Sequence, residues 1–160
     1  MSRYALRLIL VVLFWYCAGA VFAQVMGEEA EMARLQNRAE EAIANDDPDG
    51  AAMNMGKAAL MASQLAKRQA NSGQSQWLRG TEAFFRAQEQ AYRALALFQR
   101  AGGQTPASSG VCGSMRLAKE HLDKSIALMV DAAPRDGHIQ AGTAEWIKTL
   151  EGMNADFQCR

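Results

Sequence analysis

The chain has 160 residues, of which 17 are basic and 17 acidic, so its formal net charge at pH 7 is zero. This balance excludes binding to nucleic acid or to an anionic membrane through a large overall positive charge. The length is that of one domain of ordinary size, and the cysteines number three.

The first 23 residues are typical of a secretory signal peptide. Arg3 and Arg7 precede an unbroken apolar run at residues 8–16, and small or acceptable residues at 21–23 predict cleavage after Ala23. A retained membrane anchor is the alternative, because the uncharged stretch from residue 8 to residue 25 is just long enough to span a bilayer.

Cleavage leaves residues 24–160, with 15 basic and 17 acidic residues, as a single exported domain. Two of the three cysteines, Cys112 and Cys159, remain in that domain. Cysteines of an exported protein usually pair in the oxidising compartment outside the cytoplasm. We therefore expect a periplasmic or secreted protein with a Cys112–Cys159 disulfide.

Apolar residues recur at helical spacing in five segments, and no segment shows the alternation of a strand. Breaks rich in glycine, proline or Asx residues separate these segments. The pattern predicts an all-α, single-domain bundle of about five helices arranged as antiparallel hairpins. The predicted helices cover about 28–44, 51–70, 76–101, 112–133 and 139–157.

The first two predicted helices carry small residues where a helical hairpin would cross. Ala39, Ala51 and Ala58 stand at suitable separations around a turn that contains Asp47. In this respect the hairpin resembles a tetratricopeptide repeat, which implies close helix packing and a binding role. The resemblance covers about 34 residues, and one repeat beyond Ala51 the chain has Phe85 where the family needs a small residue.

Residues 76–101 repeat every seven positions, which predicts the central helix of the bundle, since each column of a heptad becomes a stripe on one helix. Two of the columns are apolar and would face neighbouring helices. They consist of Trp77, Phe84, Ala91 and Phe98, and of Gly80, Ala87, Ala94 and Ala101.

The third column of this heptad is wholly arginine: Arg79, Arg86, Arg93 and Arg100. We expect it to face water beside Glu82 and Glu89, with ion pairs from Glu82 to Arg86 and from Glu89 to Arg93. Arginine binds carboxylates through two parallel hydrogen bonds, so the column is a candidate docking edge for an acidic partner. An ordinary solvated helix face is the alternative interpretation.

The last two predicted helices are joined by a short break around Pro134 and form an antiparallel hairpin. Cys112 begins the first of these helices and Cys159 follows the second, so both cysteines lie at the same end. Both helices have an inward apolar stripe: Met115, Ala118, Leu122, Ser125 and Met129 in one, and Ile139, Trp146, Leu150, Met153 and Phe157 in the other.

Catalytic motifs are absent from the sequence, which has no His-Glu-x-x-His, Gly-x-Ser-x-Gly, P-loop or haem-attachment pattern. His121 and His138 are the only histidines. His121 borders a buried stripe and is a weak candidate metal ligand, to be weighed with the methionines as haem or Cu(I) ligands. We expect no cofactor and no enzymatic activity.

These observations predict an exported helical-bundle adaptor that docks another envelope or secreted protein. A bundle that binds a small ligand, haem or a metal is one alternative, and an inhibitor or immunity protein directed against a secreted toxin is another. Nucleic acid is not an expected partner.

Overall fold

A computed structural model describes residues 27–70, 74–132 and 137–159. These residues form five helices: α1 at 27–44, α2 at Pro48–Arg68, α3 at Gln74–Arg100, α4 at Ser109–Ala132 and α5 at Gly137–Asp156. The predicted all-α bundle with one disulfide is confirmed. The predicted signal peptide lies outside the described residues.

The heptad segment is the central helix, as predicted, because α3 packs against α2 on one side and against α4 on the other. Its Leu78 and Phe85 join the core formed with α1 and α2. Its Ala87, Ala91 and Ala94 are fully buried in a second core formed with α4 and α5. The small residues therefore allow α4 to approach α3 closely.

Gly80 lies where α4 approaches α3 closely. A Cβ atom at this position would be 2.7 Å from the Cγ atom of Met129, so a larger residue would require Met129 or the helices to shift. The hydroxyl of buried Ser125 donates a 2.9 Å hydrogen bond to the Gly80 carbonyl oxygen. The polar member of the predicted α4 stripe is thus satisfied by the backbone of the facing helix.

The second helix begins three residues earlier than predicted. Asp47 caps it, since its side chain accepts a 2.8 Å hydrogen bond from the Gly50 backbone N–H. Pro48 occupies the first turn, where the missing N–H of proline costs nothing. The turn between α1 and α2 is correspondingly shorter, and Ala39, Ala51 and Ala58 of this hairpin are all buried.

Aromatic rings attach α5 to the central helix. Trp146 makes edge-on contacts with Phe84 and Tyr92, at centroid distances of 6.2 and 5.7 Å. At the end of the chain Phe157 packs on Phe98 at 4.5 Å. Most of the predicted α5 stripe is therefore confirmed, but the side chain of Ile139 lies outside the described part.

The predicted disulfide is present and closes the α4–α5 hairpin. Cys112 and Cys159 are bonded, with their Cα atoms 5.4 Å apart. A backbone hydrogen bond of 2.9 Å from the Ala107 N–H to the Phe157 carbonyl oxygen reinforces the same end. This end of α5 is thus held by a covalent bond, a hydrogen bond and a ring contact.

Tyr92 provides a spectroscopic test of the α5 packing. Burial, and secondarily the negative charge of Glu40, raises its pKa to about 12 from the ordinary value of 10.0. It is the only tyrosine in residues 24–160. We expect the phenolate absorbance of that protein to rise near pH 12, and near pH 10 once it is unfolded in urea.

The same shift makes the protein less stable above pH 10, because the unfolded chain then releases a proton that the folded chain retains. Trp146→Ala removes a ring that covers Tyr92 and should move the midpoint back toward 10. A midpoint of 10 in the unmodified folded protein would contradict this packing.

Gln88 of α3 provides a second test of the core, because it is a polar side chain in a buried position. It is buried, and its Oε1 atom has no hydrogen-bond partner among the described residues. An unpaired buried acceptor costs about 1–3 kcal/mol. We expect Gln88→Leu to stabilise the protein by about 1 kcal/mol, which raises the melting temperature by roughly 3 °C.

The matched control is Gln64→Leu, at an exposed position of α2. A surface change of this kind should alter the stability by less than about 0.5 kcal/mol. Destabilisation by Gln88→Leu in thermal melts would show that the amide is needed at this position.

Candidate functional site

The four arginines of the heptad column lie along one side of α3, where they form what we call the arginine edge. Arg79, Arg93 and Arg100 are exposed, whereas Arg86 is half-buried. Arg100 forms an ion pair with Asp49 at the start of α2. The edge therefore runs beside α2, and its far end is tied to that helix.

Glu89 is buried, which corrects the prediction that it faces water. Its side chain is only 4% exposed and accepts hydrogen bonds from Arg86 at 2.7 Å and from Arg93 at 2.5 Å. The predicted pair of Glu89 with Arg93 is confirmed. The predicted pair of Glu82 with Arg86 is wrong, because the Arg86 guanidinium turns to the buried carboxylate three residues on.

The buried carboxylate fixes two guanidinium groups at the protein surface. Arg86 is 28% exposed and Arg93 is 56% exposed, so water and ligands reach both side chains. Each guanidinium has five N–H donors and uses one of them in its hydrogen bond to Glu89. An incoming anion would meet groups that have already lost much of their rotational freedom.

A groove of about 480 Å³ lies between α2 and α3 beside these groups. Gly56 of α2 faces the Glu89 carboxylate, and a Cβ atom there would be 3.1 Å from Oε1. The missing side chain thus lets Glu89 occupy the space under the groove. The groove is lined by Asp49, Ala52, Met53, Gly56, Lys57, Leu60, Arg86, Glu89 and Arg93.

Apolar side chains project from the α2 side of the same groove. Met53 and Leu60 on α2 are 57% and 53% exposed, and they lie seven residues apart. Leu97, between Arg93 and Arg100 in the sequence, is also exposed but lies outside the groove lining. Exposed aliphatic residues are ordinary when single, but here they accompany a groove and a row of cations.

The charge of this surface is positive although the chain as a whole is neutral. Lys57 adds to the four arginines, and Asp49, Glu82 and Glu89 oppose them, which leaves an excess of two positive charges. Two of the three acids are already engaged by Arg86, Arg93 and Arg100. The surface therefore favours a partner with negative charge.

His121, the weak metal candidate, lies on α4 and is half-buried. Burial, followed by the positive charges of Lys124 and Arg86, lowers its pKa below the ordinary value. The same cationic neighbours would oppose a metal cation. The described part of the chain brings no three histidine, cysteine or carboxylate side chains together in a metal-binding group.

A larger cavity of about 880 Å³ lies between α4 and α5. Its apolar lining includes Met115, Leu122, Ile147 and Leu150, and the two cysteines also line it. Its charged lining consists of Arg116, Lys119, Asp123 and Glu151. His121 does not line this cavity, so a ligand bound there would not be centred on the predicted histidine.

The geometry defines a disulfide-linked all-α bundle with a cationic groove beside its central helix. Within residues 27–70, 74–132 and 137–159, none of the helices combines the length and the hydrophobicity that a bilayer span requires. Comparisons with protein-family models, with curated proteins and with solved structures gave no match.

Proposed function

We propose that this protein is an exported, non-catalytic adaptor that docks an acidic segment of another envelope or secreted protein in the α2–α3 groove. The observation that carries the proposal is the pair Arg86 and Arg93, both held by buried Glu89 beside an open groove. A solvated helix face does not require a buried carboxylate to hold its arginines.

The energetics of docking favour this surface. Two partly ordered guanidinium groups lose less side-chain entropy on binding than free surface arginines would. Met53 and Leu60 supply apolar area next to the charges. Interfaces commonly combine an apolar centre with arginine contacts and a polar rim.

In the experiment, a photo-cross-linking amino acid replaces Leu60 in the protein expressed in its own cells. The cross-linked product is then identified by mass spectrometry. The control places the same amino acid at Val130, an equally exposed aliphatic position of α4. We expect one dominant heterologous partner from position 60 and none from position 130.

Charge reversal then tests the chemistry of the contact. Arg79→Glu with Arg100→Glu reverses the charge at both ends of the arginine edge and should weaken the cross-link, whereas Arg116→Glu with Lys148→Glu makes the same change of net charge elsewhere and should not. All four side chains are exposed. Equal cross-linking by both variants, or cross-linking only to a second copy of the chain, would contradict the proposal.

Inhibition of a secreted toxin is one form that this docking could take. That form predicts a toxin as the cross-linked partner and the rescue of exposed cells by the protein. The Arg79→Glu/Arg100→Glu variant should fail to rescue, while the Arg116→Glu/Lys148→Glu variant should still rescue.

The α4–α5 cavity favours a second candidate function, the binding of a small apolar ligand. Its volume of about 880 Å³ is within the usual range for small-molecule sites. Ile147→Glu would place a charge in the apolar lining and should abolish binding of an anilinonaphthalene dye. Unchanged dye binding would exclude the cavity as the site.

A further inference from the structure

We infer that the segment docked in the α2–α3 groove is an amphipathic α-helix whose apolar and acidic residues recur every seven positions. This inference rests on the proposed function and adds the conformation and the pattern of the partner. It is carried by the equal seven-residue spacing of Met53 and Leu60 on one side of the groove and of Arg86 and Arg93 on the other.

The lining residues on both sides of the groove share one spacing, since Arg86 and Arg93 on α3 and Met53 and Leu60 on α2 are each seven residues apart. The arginine edge has one arginine every seven residues, and Met53 and Leu60 are also seven residues apart. Seven residues of an α-helix span about 10.5 Å. A helix laid at a shallow angle along α2 and α3 presents its own side chains at this interval, so each heptad of the partner meets equivalent groups.

An extended segment does not fit this spacing. Side chains on one face of a strand recur every two residues, or about 6.6–6.8 Å, which is out of step with arginines about 10.5 Å apart. A strand partner also needs the unpaired backbone groups of a sheet edge. The described residues form helices, turns and bends and offer no such edge.

The arrangement of the groups fixes what the partner helix must carry. Apolar residues of the partner would lie over Met53 and Leu60, and acidic residues on its α3 side would reach Arg86 and Arg93. Gly56 contributes indirectly, because its missing side chain leaves space for the Glu89 carboxylate that holds both arginines. Lys57, Arg86 and Arg93 of the same lining would repel a partner helix that carried basic residues in place of the acidic ones.

An anionic membrane is a less suitable occupant than a helix. A membrane-binding face needs a continuous apolar surface with cations around it. Here the exposed apolar residues of the groove are separated by Gly56 and Lys57, and acids alternate with the cations. The groove therefore matches a partner with spaced side chains better than it matches a lipid surface.

The test uses three synthetic 21-residue peptides and the purified protein. In each heptad of the first peptide, one position is leucine and the position three residues later is alanine. Glutamate occupies the positions on both sides of this apolar stripe. The second has the same composition in scrambled order, and the third carries lysine in place of glutamate. We expect micromolar binding of the first by fluorescence anisotropy, at least tenfold weaker binding of the second and none of the third.

Variants show whether binding occurs at the groove. Met53→Ser with Leu60→Ser, and separately Arg79→Glu with Arg100→Glu, should each weaken binding of the first peptide at least tenfold. Arg116→Glu with Lys148→Glu should leave it unchanged. Circular dichroism should show that the bound peptide is helical.

The outcomes separate this inference from the proposed function. Equal binding of the first two peptides would overturn the inference that the partner is a helix with a seven-residue pattern. A cross-linked partner from position 60 would still support docking. Sedimentation with anionic phospholipid vesicles, without binding of the first peptide, would also overturn it and favour a membrane. Loss of the cross-link and of peptide binding together would overturn both proposals.

Discussion

Replacing Cys112 and Cys159 by serine is expected to lower the free energy of unfolding by about 4 kcal/mol. The bond closes a loop with a sequence separation of 47 residues, and this value follows from the entropy that the loop removes from the unfolded chain. The melting temperature should fall by roughly 10 to 15 °C in thermal melts followed by circular dichroism. The helical content at room temperature should not change, because the helices are held by the two apolar cores.

The control for this prediction is the unmodified protein treated with a reductant, which should melt at the same temperature as the double variant. The remaining contacts at this end, from Phe98 to Phe157 and from Ala107 to Phe157, should keep α5 docked below the transition. In the variant that comprises residues 24–160, Tyr92 should then still titrate near pH 12. Equal melting of the variant and the oxidised protein would show that the disulfide does not stabilise the bundle.

Removing both partners of Glu89 should have a comparable effect. Arg86→Met with Arg93→Met leaves a carboxylate that is only 4% exposed without its two cations. An uncompensated buried charge costs about 3–5 kcal/mol. We expect the free energy of unfolding in urea to fall by about 3 kcal/mol. This value is at the lower end of the range because Arg93 itself is open to water.

A third change distinguishes the buried charge from the lost side-chain packing. Adding Glu89→Leu to the double variant should recover most of the stability, since no buried charge then remains. Arg79→Met with Arg100→Met removes two exposed arginines and should change the stability by less than about 1 kcal/mol. A triple variant less stable than the double variant would contradict the account of Glu89.

The arginine edge illustrates how far heptad reasoning extends. The four arginines were correctly assigned to one side of the central helix, because spacing alone determines which residues share a stripe. Spacing does not determine how wide the buried face is. Helices α2 and α4 cover α3 so broadly that Glu89, next to the arginines, is enclosed.

This enclosure changes the choice of variants. From the sequence, Arg93→Glu would affect only a solvated face. In the structure it would remove the guanidinium group that lies 2.5 Å from the buried Glu89 carboxylate and introduce a second negative charge beside it. For this reason the docking tests use Arg79 and Arg100, which are exposed and make no contact with Glu89 among the described ion pairs.

The helical class, the central position of the heptad segment and the pairing of Cys112 with Cys159 could all be predicted from the amino-acid sequence. These properties depend on periodicity, short connections and the ends of one hairpin, which are local. The α2–α3 groove could not be predicted in this way, because Gly56 and Glu89 are 33 positions apart and neither belongs to a motif. A groove arises where two packed helices leave a side chain out, and that depends on which faces meet.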